Sequence, residues 1–284
     1  MGKNLKFYLK SILNEDELNI MPTSFDVIGS IMIFAEFPKK LSKKEKIIGN
    51  EILKNYHNIK TILKKTKKFS GKFRTPKYKI IAGIKTKEAA YKENNVALKL
   101  DVEKVYFSPR LSGERMRIAK LIKKNERILV MFSGSAIYPL VIARNSNPKI
   151  VYGIEINPTA HRYALENIKI NKMEDKIKLI KGDVKNINKK NFPLRKFFLE
   201  RFDRILMPLP KGGEIFLDIA LKSAKKNAVI HFYDFLNENE FNEAEKKIET
   251  SCKKQKRKFE ILNFVKCGEF GPKIYRVCVD FRVG

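Results

Sequence analysis

The sequence has no tryptophan, and it has only three histidines and three cysteines in 284 residues. Cys252, Cys267 and Cys278 stand far apart without metal-ligand spacing. Their odd number, in a chain whose start does not read as a secretion signal, points to reduced, buried thiols rather than a disulfide framework. His57, His161 and His231 have no partners at metal or catalytic spacing, and no His and acid arrangement accompanies Ser133 or Ser135. Metal binding and serine-type hydrolysis are therefore not expected. No apolar run approaches the roughly 18 residues that span a bilayer. The Lys-interrupted segment from Met1 to Ile12 lacks the apolar core and cleavage site of a signal peptide, so a cytoplasmic protein is expected. Acidic residues are scarce too: 31 Asp and Glu face 60 Lys and Arg, leaving a formal net charge of +29. A surplus of that size repels itself unless a polyanion offsets it, which makes nucleic acid or an anionic membrane the expected partner. A hot habitat also raises lysine, but it raises glutamate alongside, and here glutamate does not keep pace. A membrane-surface role would need large aromatics on a basic amphipathic helix, and the stretch from Lys43 to Lys68 offers only Tyr56.

Hydrophobic residues make up 43% of the chain, enough for a globular fold of one large and one small domain. Residues 1–19 read as a short extension, a helix and a loop. Residues 20–104 read as a small basic α+β domain. In it, the segment from Met21 to Ser30 is a turn leading into a buried strand over Ile31–Ala35. Between Lys39 and Lys79 stand 15 Lys and Arg against two acids, Glu45 and Glu51. Ile47, Ile48, Ile52, Leu53 and Tyr56 suit one face of a helix there, with lysines on the other. Such a run is either a solvated helix face or an RNA-facing surface. Two alternating segments, Tyr78–Ile84 and Val96–Val105, fit a small mixed sheet.

Residues 105–284 change character. Strands over 128–132, 150–156, 177–180, 202–207 and 228–233 alternate with helical stretches over 139–144, 160–171 and 215–224. This alternation predicts a parallel sheet covered on both faces, an α/β Rossmann-like domain. In such sheets ligands bind beyond the carboxyl ends of the strands. Three features fall there in order. Phe132-Ser133-Gly134-Ser135-Ala136 is a small-residue turn that lets backbone approach a ligand. Glu155 ends the next strand about 20 residues on, where an acid accepts ribose hydroxyls. Asp183, in Gly182-Asp183-Val184, is placed to meet an adenine amino group. No Gly-x-Gly-x-x-Gly cradle is present, which favours S-adenosylmethionine over a dinucleotide.

The segment Tyr106-Phe107-Ser108-Pro109-Arg110-Leu111-Ser112-Gly113-Glu114-Arg115-Met116-Arg117-Ile118 resembles the signature of the archaeal and eukaryotic tRNA guanine-37 methyltransferases. Pro22–Gly29, Phe73-Arg74-Thr75, Glu155-Ile156-Asn157-Pro158 and Asp203–Pro210 match as well. The resemblance covers residues 20–284. It implies methyl transfer from S-adenosylmethionine to the purine at position 37 of tRNA, and a monomer without a metal is expected. It places the catalytic carboxylate on Glu114 and the catalytic arginine on Arg74. Tyr106, Phe132, Ser133, Gly134, Glu155, Asn157 and Asp183 form the implied cofactor pocket. Arg110 and Arg115 of this segment, and Lys64, Lys65, Lys67 and Lys68 of the lysine-rich stretch, are the candidate RNA contacts, with Arg110 equally suited to a structural role. A carboxylate suits removal of the guanine N1 proton, and an arginine suits the negative charge that spreads toward O6. By spacing alone, Glu114 and Arg117 would make an ordinary ion pair within a helix.

Three departures from the family pattern carry expectations. Pro208 stands where the guanosine enzymes have the Asn of an Asn-Leu-Pro motif, and it offers no amide. The archaeal branch that methylates C7 of the wyosine precursor 4-demethylwyosine, yielding isowyosine, resembles this chain better at that site. C7 methylation is therefore expected, with N1 methylation of guanosine, or aminocarboxypropyl transfer in the same pathway, as alternatives. The chain begins almost at the family's second domain, so the lysine-rich stretch is expected to supply part of the tRNA affinity. Ala136 replaces a glycine of relatives, and a tighter cofactor pocket is expected.

Overall fold

The computed structural model describes residues 5–187 and 200–284, with the side chains of Lys68 and Phe69 outside the described set. The chain divides into two compact units, one of Met1–Lys92 with Ala97–Pro109, the other of Glu93–Val96 with Arg110–Gly284.

The smaller unit is built on a four-stranded sheet in the order β1-β2-β3-β4, with β1 Asp26–Ile28, β2 Ile31–Phe34, β3 Thr61–Ser70 and β4 Thr75–Gly83. β2 runs parallel to β3, pairing Ile31 with Thr61. Parallel neighbours need a crossover, and the helix Glu45–Asn55 supplies it. Its Ile48, Gly49 and Ile52 are buried, the i, i+1, i+4 face of a helix lying on a sheet. Two helices precede the sheet, α1 Leu5–Leu9 and α2 Glu15–Ile20, so the crossover helix is α3. α2 starts in a capping box: Asn14 Oδ1 accepts from the Glu17 amide at 2.9 Å, and Glu17 returns the bond to the Asn14 amide at 3.0 Å. The opening residues are more than an extension. Leu5, Leu9 and Leu13 recur every four residues and are buried with Met32, Phe34, Ile48 and Ile52, so they complete the core of this unit.

The lysine-rich stretch is not one helix face. After α3 it becomes β3, so Lys64, Lys65 and Lys67 lie along a strand. The second alternating segment joins no mixed sheet either. It forms β6 Val96–Asp101, paired in a hairpin with β5 Glu88–Glu93, a strand that its Glu and Lys content concealed. Asn94 and Asn95, at φ +44° and +62°, make the tight turn that matches the twist of two paired strands.

The larger unit contains a seven-stranded sheet in the order β12-β13-β11-β10-β7-β8-β9. Its strands are β7 Arg127–Met131, β8 Ile150–Glu155, β9 Ile177–Lys181, β10 Phe202–Met207, β11 Ala224–Asn237, β12 Phe259–Gly271 and β13 Ile274–Val283. The first five are mutually parallel, and β13 runs antiparallel to β11 and β12. The helices are α4 Ser112–Leu121, α5 Ile137–Asn145, α6 Pro158–Ile170, α7 Leu217–Ser223 and α8 Asn242–Lys254. This is the α/β Rossmann-like arrangement that the alternation predicted. Chain order reverses at β7, whose next strand lies on one side and β10 on the other, so the end of β7 is the switch point where such sheets bind ligands. All five residues of β7 are buried, as a strand covered on both faces requires. The closing hairpin of β12 and β13 escaped the sequence pattern because most of β12, at the sheet edge, is exposed.

Gly49 tests the packing of α3. A Cβ there would stand 2.4 Å from the Cβ of Ala82. Gly49→Ala gains roughly 1 kcal/mol of helix propensity but overpacks the contact, at a cost of about 1–3 kcal/mol. A net fall in thermal stability is expected, and adding Ala82→Gly should recover most of it in the same denaturation experiment.

Candidate active site

The turn after β7 is held by backbone. Phe132, Gly134 and Ala136 have φ of +61°, +57° and +68°, three left-handed residues within five. The Ser133 amide donates to Ile154 O at 2.9 Å, and Asn167 of α6 donates through Nδ2 to Ser135 O at 3.1 Å. Glu155, at the end of β8, closes the turn: one carboxylate oxygen accepts from the Gly134 amide and the other from the Asn157 amide, each at 2.7 Å. Burial pushes the Glu155 carboxyl up, while those amides pull the other way. Each oxygen retains acceptor capacity, since a carboxylate has about four lone-pair sites.

The hydroxyls of Ser133 and Ser135 are buried without a partner among the described residues. Unpaired polar atoms beside a left-handed glycine are what a polar ligand approaching the turn would satisfy. The residues present therefore fit a nucleoside cofactor such as S-adenosylmethionine. Asn157 also has a local task. Its Oδ1 caps α6, accepting from Thr159 N at 3.0 Å and Ala160 N at 3.4 Å, with Pro158 at the first helical position. Asp183 likewise caps a short 3-10 turn through Lys185 N at 2.9 Å. Phe132 meets Phe216 edge-on at 4.8 Å between ring centroids, a pairing the sequence did not announce. Ala136 is fully buried, so its departure from glycine falls on the backbone: a left-handed alanine costs about 1 kcal/mol that glycine would not. Pro208 follows β10, and the next amide, Leu209 N, is closed on Met207 O at 2.7 Å.

Glu114 lies on α4, 7% exposed. Arg117 grips it through Nε to Oε2 at 2.7 Å and Nη2 to Oε1 at 2.8 Å, the ion pair that the spacing suggested. Tyr233 of β11 donates its hydroxyl to Oε1 at 2.6 Å. Arg117 also reaches Asp280 of β13 at 2.6 Å. Asp280 receives His231 Nδ1 at 2.5 Å, and Arg204 donates to His231 Nε2 at 2.8 Å. Arg204 ends on Glu126 at 2.8 Å. Because a guanidinium only donates, His231 Nε2 must accept, so the proton sits on Nδ1 and the ring is neutral. Burial holds the His231 pKa below its ordinary value. Burial also opposes the Asp280 charge, but His231 and Arg117 outweigh it and hold the carboxyl well below the usual range. Burial drives the Tyr233 phenol well up, so Tyr233 acts as a donor. His231, Cys278 and Asp280 offer ligand atoms within 4.8 Å of one another. Two guanidinium groups already engage that cluster, and it is an ion-pair chain.

Two expected RNA contacts point elsewhere. Arg115 is 1% exposed and makes two bonds of 2.5 Å to Glu93, so no face of it is left for a phosphate. Lys64 is paired with the buried Glu45, which also takes Lys79 at 2.9 Å. Lys67 and Arg110 are exposed, Lys65 is half-buried, and the Lys68 side chain lies outside the described residues. Arg74 sits in the tight β3–β4 turn of the smaller unit at φ +49°, its amide on Gly71 O at 3.1 Å. Tyr106 belongs to that unit as well and is 36% exposed. The chain Tyr233, Asp280, His231 and Arg204 was invisible to sequence reading, because its members lie on three different strands.

Residues 89–262 match the family model of the TRM5/TYW2 methyltransferase domain, and residues 5–86 match the TYW2 N-terminal domain. The chain is 34% identical, over 302 aligned residues, to the tRNA (guanine(37)-N(1))/4-demethylwyosine(37)-methyltransferase Taw22 of Nanoarchaeum equitans, covering 90% of this chain and 98% of that one. It is 32% identical over 263 residues to the tRNA(Phe) (4-demethylwyosine(37)-C(7)) aminocarboxypropyltransferase of Methanocaldococcus jannaschii, covering 92% and 98%. The crystal structure of Trm5b from Pyrococcus abyssi superimposes with a TM-score of 0.84 at 35% identity, over 98% of this chain and 80% of that one.

The neutral His231 makes stability depend on pH. Its folded pKa lies below the unfolded value of about 6.5. Its contribution is complete above that value and is lost as pH falls through it toward the folded pKa. Asp280 acts with the same sign over a more acidic window, below about 4. Thermal denaturation is expected to show stability falling between about pH 7.5 and about pH 5.5. His231→Gln should flatten that slope, and an unchanged slope would assign it to other groups.

Proposed function

The chain belongs to the TRM5/TYW2 methyltransferases and uses S-adenosylmethionine, and on that premise we propose that it methylates C7 of 4-demethylwyosine at position 37 of tRNA(Phe). The observation that carries this reading is Pro208. It has no side-chain amide, and the Leu209 amide beside it is closed on Met207 O. This stretch has no free amide to offer a guanine ring, whereas methylation at an electron-rich ring carbon needs none. The name of the Nanoarchaeum relative includes that same tricyclic substrate.

Bound S-adenosylmethionine supplies a methyl group on a positively charged sulfur. The protein's part is to bind and orient. The turn from Phe132 to Ala136 brings backbone amides and the Ser133 and Ser135 hydroxyls to the cofactor. Glu155 would take the ribose hydroxyls and Asp183 would meet the adenine, with Tyr106 and Asn157 as further candidate cofactor residues. Glu114 accepts the proton that the methylated ring carbon gives up, and Arg74 balances the charge that develops on the purine oxygen. Lys65, Lys67 and Arg110 contact the tRNA backbone.

A second reading, aminocarboxypropyl transfer, is favoured by the match of residues 5–86 to the TYW2 N-terminal domain. The two differ in the mass added. Purified protein would be given S-adenosylmethionine and tRNA(Phe) bearing either guanosine or 4-demethylwyosine at position 37, and the digested nucleosides would be weighed. A single methyl on the tricycle, with guanosine unchanged, is expected. Methylated guanosine would overturn the Pro208 argument, and the heavier adduct would favour the second reading. Pro208→Asn is expected to raise methylation of guanosine in the same assay.

RNA binding is tested by charge removal. Lys65→Gln with Lys67→Gln should weaken tRNA binding and reduce the slope of log affinity against log salt by about 0.7–0.9 for each phosphate no longer neutralised. Lys64→Gln should instead lower the thermal stability of the smaller unit, because Lys64 compensates the buried Glu45.

A further inference from the structure

Around Glu114, acceptor positions are almost filled. Oε1 receives both Tyr233 and the Nη2 of Arg117, while Oε2 receives only the Nε of Arg117. With about two acceptor positions on each oxygen, the bonds from Tyr233 and Arg117 fill Oε1 and leave Oε2 the less occupied oxygen. Arg117 cannot drift from this arrangement, because Asp280 holds its far side at 2.6 and 3.2 Å and His231 in turn holds Asp280. Tyr233 is fixed from behind by the Tyr138 hydroxyl, which donates to it at 3.2 Å. Cys267 of β12 is a further neighbour: its thiol donates to Val265 O at 3.6 Å, and burial first, then the charge of Glu114 and a hydrogen bond to it, raise its pKa.

We infer that Tyr233, together with the Asp280-held Arg117, is a positioning residue for Glu114, aiming Oε2 at the departing proton of the purine. The inference rests on Glu114 as the proton acceptor. In that step the bond from the ring atom to hydrogen breaks, its electron pair stays in the purine, and the proton bonds to Oε2. Tyr233 and Arg117 keep donating throughout and give up no proton. Neither touches the purine. Their effect is directional, because misplacing a reacting group by about 1 Å can cost about a hundredfold in rate.

The test is steady-state kinetics on the purine that accepts the methyl group, with S-adenosylmethionine binding and thermal stability measured on the same preparations. Tyr233→Phe keeps the ring and removes the bond to Oε1. It is expected to lower kcat by about ten- to a hundredfold, with KM for tRNA and the Kd for the cofactor within about twofold of wild type. Asp280→Asn frees the far side of Arg117 and should show the same split, so a folding failure of either variant leaves the other to decide. Glu114→Gln, the reference, should abolish turnover. Wild-type kcat in Tyr233→Phe or Asp280→Asn, beside an inactive Glu114→Gln, would overturn the positioning role and leave the proton acceptor standing. Full activity in Glu114→Gln would overturn the proton acceptor itself. A fall in kcat matched by loss of cofactor or tRNA binding would reduce the chain to a structural support and overturn the inference.

Discussion

Carboxylates removed from water must be met by donors, and Glu114 and Asp280 are met by one guanidinium, that of Arg117. It lies between Glu114 of its own helix and Asp280 of the sheet. Removing one partner of a buried pair costs about 3–5 kcal/mol, because the charge left behind stays buried. That penalty pins α4 to β11 and β13. Each further link answers the same demand. Asp280 needs a second donor and finds His231, and His231 is kept neutral by Arg204, which needs Glu126. The carboxylate proposed for catalysis is thus the end of a chain that starts on the far side of β10. Burial weighs against the charge of Arg117, and its two carboxylate partners still hold its pKa well above the ordinary value.

At the switch point the organising force is backbone polarity rather than charge. Three left-handed residues expose amides that a strand or helix would have satisfied. Glu155 takes two of the amides around the turn, and the two serine hydroxyls are left without partners among the described residues. A site of this kind tolerates strain, such as the left-handed Ala136, because the surrounding hydrogen bonds fix it. The same economy shows in Asn157 and Asp183, which cap α6 and a short 3-10 turn while lying in the strand-end region proposed for the cofactor.

Charge needs to be read at two scales. The surplus of +29 belongs to the chain as a whole and speaks for a polyanionic partner. It does not say which cations face that partner. Some of the acids are used inside: Glu93 holds Arg115, and Glu45 holds Lys64 and Lys79. Basic residues beside a signature motif or within a lysine run are therefore divided between support and surface by the location of the nearest buried carboxylate.

The sequence alone determined whatever local periodicity and end signals encode. It determined the alternation of buried strands and helices in the second half, the turn after β7, the acid ending β8, and the Asn-Pro start of α6. It also determined the family, through the run from Tyr106 to Ile118. Spacing foresaw the bond from Glu114 to Arg117, since both lie on one helix. Tertiary structure decided what depends on distant segments meeting. Leu5, Leu9 and Leu13 became core because α3 and β2 offered a surface to cover. The edge strand β12 was hidden by its exposed residues, and β5 by its charges. Arg115 turned inward because Glu93, at the end of β5, stood in reach. Tyr233, His231 and Asp280 reached α4 only through the pairing of β11 with β13. No periodicity within one segment records a hydrogen bond whose two ends are brought together by a sheet.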